Sequence, residues 1–304
     1  MAQLHVIVGA DANASPPVVR KIGMADIRDA LAKGIDDFWA FPTHAIFLSA
    51  IYPIIGLVLA RLLLSYDFLP LLFPLAAGFA LIGPLAAIGL YEISRRRELG
   101  LEVSWKHALG AGAPSSIDGI IALGALLTVI FLLWIAAAQA IYIANFGYAP
   151  AASIPNFFRQ VLTTPQGWTL IIVGNGVGFL FAVGVLTISV VSFPLLLDRD
   201  VGAAAAVLTS VRAVLKNPFT IAVWGLIVAG LLLIGSLPLF TGLAIVMPVL
   251  GHSTWHLYRK LVVSDLSPRP EQPQPPKKKR RYAAQFPAAL FAGENARLPR
   301  REDL

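Results

Sequence analysis

A series of long apolar windows constrains this chain more than any other feature of its sequence. A transmembrane helix needs about 20 consecutive, mostly apolar residues. Six windows meet that requirement: about His44–Leu64, Leu69–Tyr91, Gly119–Ile143, part of Trp168–Leu197, Phe219–Pro238 and Leu239–Tyr258. Charged residues make up 13% of the chain, about half the share that a soluble domain carries. We therefore predict an all-α membrane helix bundle with six transmembrane helices.

The positions of Lys and Arg predict which side of the membrane each loop faces. Basic residues concentrate before span one, after span two, after span four and after span six, and they are nearly absent from the other loops. Loops on the cytoplasmic side carry such an excess of basic residues. We therefore expect a multi-pass protein of a bacterial inner (cytoplasmic) membrane, with both termini in the cytoplasm.

Three regions follow from the distribution of apolar residues. Residues 1–21 and 263–304 cannot bury a core, because the first lacks an apolar run and the second is rich in proline and basic residues. We expect both to be disordered. Residues 22–262 form the predicted six-span membrane domain.

An amphipathic helix is predicted ahead of the first span. Its apolar residues recur at helical spacing, at Met24, Ile27, Leu31, Ile35 and Phe38. Charged residues occupy the other faces of that helix, at Asp26, Asp29, Lys33 and Asp37. This pattern is typical of a helix that lays one face on an apolar surface.

An amphipathic segment followed by a proline and a pair of spans occurs three times, which predicts three helical hairpins. Shorter amphipathic segments, Leu99–Leu109 and Ala204–Leu215, precede spans three and five, and a proline follows each segment, at Pro42, Pro114 and Pro218. The middle hairpin is enlarged by a loop at Ala144–Gly167. The alternative is that prolines and amphipathic flanks are simply common at the ends of membrane helices.

Ionisable residues inside a membrane mark ion and proton pathways, and the predicted spans hold almost none. This disfavours an ion-coupled carrier. The uncharged polar candidates are Asn175 and Gln139. Asn175 lies between Gly174 and Gly178, whose spacing lets helices approach closely. We favour helix packing for these four residues, with a substrate cavity as the alternative.

Histidines, alone or together with Glu92 or Asp198, are the candidates for a metal or haem site, since the chain has no cysteine. His252 and His256 lie four residues apart on one helical face, and His44 lies at the same end of span one. Such spacing suits a metal. Interfacial histidines that bond to headgroups or backbone are far commoner, so no cofactor is predicted.

The C-terminal region carries five adjacent cations after a proline-rich stretch: Lys277, Lys278, Lys279, Arg280 and Arg281. On the cytoplasmic side such a cluster suits anionic lipid headgroups. Nucleic acid is a less favoured partner, and a solvated topology signal without a partner is a further alternative. This cluster accounts for much of the net charge of +7.

Several short sequence segments resemble those of a family of bacterial multi-pass integral membrane proteins of unknown function. They are Leu81-Ile82-Gly83-Pro84 through Tyr91-Glu92 with Arg95–Arg97, then Ser192–Asp200, then Asn217-Pro218. The resemblance covers about Ile22–Val262 and implies no catalytic residues. Some members are labelled cytochrome c oxidase subunits. That label does not fit a chain with five histidines in all, because two of them, His5 and His107, lie outside the predicted spans.

These observations together favour a non-enzymatic scaffold or an assembly (accessory) factor. Its expected partners are the lipid bilayer and either another membrane protein or a second copy of the chain. A small-molecule or lipid permease with an uncharged path is the first alternative, and a haem- or metal-binding membrane protein is the second. No nucleotide-binding loop, nucleophile elbow or HExxH motif occurs in the sequence.

Overall fold

The computed structural model describes residues 17–42, 70–79, 83–103, 116–148, 153–238 and 240–263, together with the single positions 50, 54, 56, 58 and 61. Within these residues the fold is all-helical, as predicted. Extended pairing among them is limited to one antiparallel bridge between Val19 and Val262. His44 and the cations at 277–281 lie outside the described residues.

We number the described helices in chain order. They are α1 Met24–Ala40, α2 Leu72–Phe79, α3 Gly83–Ala86, α4 Ile88–Glu98, α5 Ile117–Phe146, α6 Ile154–Thr163, α7 Pro165–Ser189, α8 Ser192–Asp198, α9 Ala203–Lys216, α10 Pro218–Ser236 and α11 Leu243–Leu261.

Among the described residues, three helical segments are long and apolar enough to cross a membrane. They are α5 with 30 residues, α7 continued through α8 with 34 residues, and α10 with 19 residues. These segments coincide with predicted spans three, four and five. The length of the second follows from the nearly unbroken run of apolar residues before Asp198.

The other three predicted spans stay predictions. Span one falls almost wholly outside the described residues, and the described part of span two is divided among α2, α3 and the first turn of α4. Span six corresponds to α11, which is not apolar enough to qualify as a span by composition. The reason is its second half, which carries His252, His256, Arg259 and Lys260.

One end of the bundle, which we call the polar end, gathers the starts of α5 and α9 and the ends of α4, α8 and α11. There the Ser116 hydroxyl donates a hydrogen bond to the Leu196 carbonyl, and Gly119 lies against Ala203. Asn217 binds the chain that leads into α1, accepting a hydrogen bond from the Ile22 amide at 2.8 Å.

The first amphipathic helix forms where it was predicted, but it buries a different face. Its start is closed by the Asp26 carboxylate, which accepts a hydrogen bond from the Gly23 amide at 2.9 Å, and Pro42 follows its end. The buried residues of α1 are Ile27, Ala30, Gly34, Asp37 and Phe38. The assignment of Asp37 to a polar face was therefore wrong, and Met24 and Ile35 are exposed.

The segment predicted as a loop at Ala144–Gly167 is largely helical. The α5 helix continues to Phe146, and α6 and α7 follow with a single residue, Thr164, between them. Thr164 closes the start of α7 by accepting a hydrogen bond from the Gly167 amide at 3.1 Å. A ten-residue helix is too short to cross a bilayer, so the apolar windows of the sequence do not indicate α6.

A buried polar cluster as candidate functional site

Helix α1 carries Asp37 into the interior of the polar end, where its side chain is 4% exposed. The carboxylate accepts hydrogen bonds from the Ser94 hydroxyl at 2.5 Å and from the His256 Nε2 atom at 2.8 Å. Its second oxygen pairs with the Arg97 guanidinium. One carboxylate thus joins α1 to both α4 and α11.

Ser94 connects this carboxylate to a second imidazole. Its Oγ atom lies 2.8 Å from the Nδ1 atom of His252, and both residues are fully buried. A hydroxyl has one hydrogen to donate. Because Ser94 donates it to Asp37, its oxygen accepts a hydrogen bond from His252, and the proton of the neutral imidazole lies on Nδ1. We call Asp37, Ser94, Arg97, His252 and His256 the polar cluster.

Small residues bring the three helices close enough to form this cluster. Gly34 lies directly against the backbone and hydroxyl of Ser253, so that a Cβ atom at position 34 would overlap both. Gly251 lies against the side chain of Leu90 in the same way. Close backbone approach at small residues is a common basis of helix packing in membranes.

Burial alone would raise the pKa of Asp37, because a buried carboxylate loses its hydration. The hydrogen bonds from His256, Ser94 and Arg97 outweigh that cost and hold the pKa below its usual value. The carboxylate is therefore ionised at neutral pH. Asp29 of α1 also has a lowered pKa, because it accepts hydrogen bonds from Lys260 of α11 and from Lys33 of α1.

A second set of contacts surrounds the polar cluster and links the ends of three helices. Arg259 of α11 pairs with Glu98 of α4 at 2.9 Å and with Asp198 of α8 at 3.6 Å. The neighbouring aromatic residues support the same two carboxylates. Trp255 donates to Glu98 at 3.0 Å, and Tyr258 donates to Asp198 at 2.7 Å.

The chemistry of the cluster differs from that of a nucleophilic centre. In a hydrolase the base takes the proton of the serine, and the carboxylate binds the other nitrogen of the imidazole. Here the carboxylate and the imidazole both contact the hydroxyl of Ser94, which has no exposed surface. Among the described residues, no group of three or more His, Cys, Asp or Glu side chains is placed to hold a metal ion.

The glycine and amide candidates in the predicted spans lie apart from this cluster. Gly178 faces the ring of Trp134 on α5, whereas Gly174 faces open space. Asn175 is exposed, and its amide donates to the carbonyl of Ile171 on its own helix at 2.7 Å. Gln139 is half-buried on α5.

The structure brings His252 and His256 together in the cluster, each bound to a different partner. Sequence reasoning missed Asp37, Ser94 and Arg97. A signal for Asp37 was present, because it continues the spacing of Ile27, Ala30 and Gly34 along one helical face. No comparable sequence signal identified Ser94.

One protein-family model matches part of the chain. Residues 72–198 match the model of a family described as "Predicted integral membrane protein (DUF2189)". Over this range the chain is similar to a family of integral membrane proteins of unknown function. The match is narrower than the resemblance at Ile22–Val262. It includes Ser94 and Arg97 but not α1 or α11, which supply the rest of the cluster. No curated protein and no solved structure matches the chain.

Proposed function

We propose that this chain is a non-enzymatic protein of a bacterial inner membrane, with cytoplasmic termini, that scaffolds or assists the assembly of another membrane component. The observation that carries the proposal is the use of its buried charged groups. Asp37, its basic partners and the surrounding ion pairs all join helices of this chain to each other. Groups used in this way hold a shape and leave little chemistry for a substrate.

The packing between the described spans supports a scaffold over a permease. Trp134, Val185 and Trp224 are buried there, and the Trp134 indole packs against Phe181 with ring centroids 5.7 Å apart. A permease needs a path lined by polar groups. The exposure of Asn175 favours a lipid-facing position for it over a role in such a path.

A surface for a partner is available at the polar end. Trp39, on α1, is 71% exposed, and Leu99, directly after the end of α4, is 56% exposed. Both helices contribute to the polar cluster. Large apolar side chains exposed outside a membrane span are typical of protein contacts. The rigid polar cluster would hold these side chains in a constant arrangement.

Affinity purification tests the proposal. The tagged full-length chain, extracted from its host in a mild detergent, should bring down one membrane protein at constant stoichiometry. Reciprocal tagging of the recovered protein and an untagged strain are the controls. Recovery of the chain only as a monomer or homomer would contradict the proposal. Solute flux in proteoliposomes would favour the permease instead, and a Soret band would favour the haem protein.

A further inference from the structure

Helix α6 presents an apolar stripe that no described part of the chain covers. None of its residues is buried, and Phe158 and Leu162 are 53% and 56% exposed. Residues four apart lie on one side of a helix, so the two side chains form a continuous stripe. This feature is independent of the scaffold proposal, because it lies away from the polar end.

The fold of α6 is complete without a partner. The Ser153 hydroxyl closes its start by accepting a hydrogen bond from the Asn156 amide at 3.3 Å. The other side of the helix is polar, with Arg159 donating to the Asn156 side chain at 2.9 Å and Thr163 donating to the Arg159 carbonyl at 2.6 Å. The helix is thus polar on one side and apolar on the other.

Contacts with two membrane-spanning helices fix the position of α6. The ring of Phe157 lies 6.4 Å from that of Tyr142, near the end of α5. Gly167, in the first turn of α7, lies against the carbonyl oxygens of Gln160 and Val161. Because α5 begins at the polar end and runs for 30 residues, or about 45 Å, α6 lies at the opposite end of the bundle.

Exposed aromatic and apolar side chains precede and follow α6 in the chain. Trp168 and Ile172 follow on α7 and are 53% and 67% exposed, and Tyr148 precedes α6 with an exposed ring. Trp and Tyr are enriched where the headgroups meet the acyl chains. Because α5 and α7 are both candidate membrane spans, a bilayer would lie directly beside α6.

We infer that α6 lies within the membrane interface, parallel to its plane, and that its partner is the phospholipid bilayer. Phe158 and Leu162 enter the boundary between headgroups and acyl chains, and Arg159 lies at the level of the phosphates. Short amphipathic helices bind membranes in this way. The helix thereby anchors the connection between α5 and α7.

Spin labels at single cysteines can test the inference, because the chain has no native cysteine. Phe158→Cys and Leu162→Cys report on the stripe, and Thr163→Cys is the matched control. All three positions are exposed in the protein, so that only the bilayer distinguishes them. The full chain is placed in nanodiscs of phosphatidylethanolamine and phosphatidylglycerol, and collisions with oxygen and with a water-soluble nickel complex are measured.

Labels at 158 and 162 should show a several-fold higher ratio of oxygen to nickel collisions than the label at 163. Equal ratios at the three positions would overturn the inference, since the helix would then lie in water. Protection of 158 and 162 from both reagents would also overturn it, since a protein would then cover the stripe. The variant Arg159→Cys retains both Phe158 and Leu162, so its label reports on a helix whose stripe is intact. Its ratio of oxygen to nickel collisions should lie between the ratios at the stripe and the ratio at 163.

Discussion

The Asp37 carboxylate of α1 lies 2.8 Å from the His256 Nε2 atom of α11, a contact between residues separated by 219 positions in sequence. It is one of several contacts that hold α1 along α11, among them the ion pair between Asp29 and Lys260 at 2.8 Å. The first and last described helices are thereby joined at the polar end. Several consequences of this arrangement can be measured.

Removing the carboxylate should destabilise the protein strongly. Asp37→Ala leaves Ser94, Arg97 and His256 without their acceptor, and breaking such a buried pair costs about 3 kcal/mol. Unfolding in mixed micelles of mild detergent and SDS measures the loss. Asp36→Ala is the control, because the neighbouring Asp36 is exposed. Equal stability of the two variants would show that the cluster contributes nothing.

Stability should fall at acid pH because of the same residue. The pKa of Asp37 is lower in the folded protein than its usual value, so the unfolded chain binds the proton more tightly. Its contribution is fully present well above the unfolded pKa of about 3.9 and is lost as the pH falls through the lower folded value. Melting temperatures between about pH 7 and pH 3 should therefore decline below about pH 4.

Asp37→Asn provides the comparison for this acid dependence. The variant should be less stable at neutral pH and should lose less stability on acidification than the natural chain. Part of the acid dependence should persist, because the pKa of Asp29 is also lowered, by Lys260 and Lys33. Identical pH profiles for the two proteins would contradict the role given to Asp37.

The approach of α1 to α11 should tolerate no side chain at position 34. Gly34→Ala places a methyl group against the backbone of Ser253, which cannot move aside, and such overpacking costs about 1–3 kcal/mol. Gly184→Ala is the matched control, since position 184 also lies within a helix and a Cβ atom there meets nothing within 4 Å. A lower unfolding midpoint for Gly34→Ala alone is expected, and similar midpoints would contradict the close contact.

The two glycines of the predicted packing pair should respond differently to substitution. Gly178→Val directs its side chain at the Trp134 ring, which is held in place by a hydrogen bond from its Nε1 atom to the Pro74 carbonyl at 2.8 Å. We expect a loss on the order of 2 kcal/mol. Gly174→Val meets open space and should have a small effect. If Gly174→Val lowered the stability in SDS unfolding more than Gly178→Val, the contact between Gly178 and Trp134 would be contradicted.

The proposed orientation can be tested from outside the cell. Single cysteines at exposed positions, Tyr148→Cys near α6 and Leu99→Cys at the polar end, should react differently with a membrane-impermeant maleimide. In spheroplasts the label should reach position 148 directly and position 99 only after the membrane is permeabilised. Labelling of position 99 in sealed spheroplasts would contradict the proposed topology and favour the opposite orientation.

The sequence by itself determined the features that depend on neighbouring residues. Apolar runs at least about as long as a bilayer requires predicted α5, α7 and α10, because each residue of such a run contributes to the same favourable transfer into lipid. Helical spacing and the prolines at 42 and 218 predicted where α1 ends and where α10 begins. The helix α6 was missed because its ten residues carry no comparable span signal.

Only the tertiary structure decided which polar residues act together. Asp37 binds Ser94 and His256, and Ser94 binds His252, through contacts between residues 57 to 219 positions apart. No local sequence pattern encodes these contacts. The same applies to the face of α1 that is buried, which Gly34 and Ser253 determine by close contact. Membrane insertion depends on the composition of each segment, whereas the polar cluster depends on how the inserted and surface helices pack against one another.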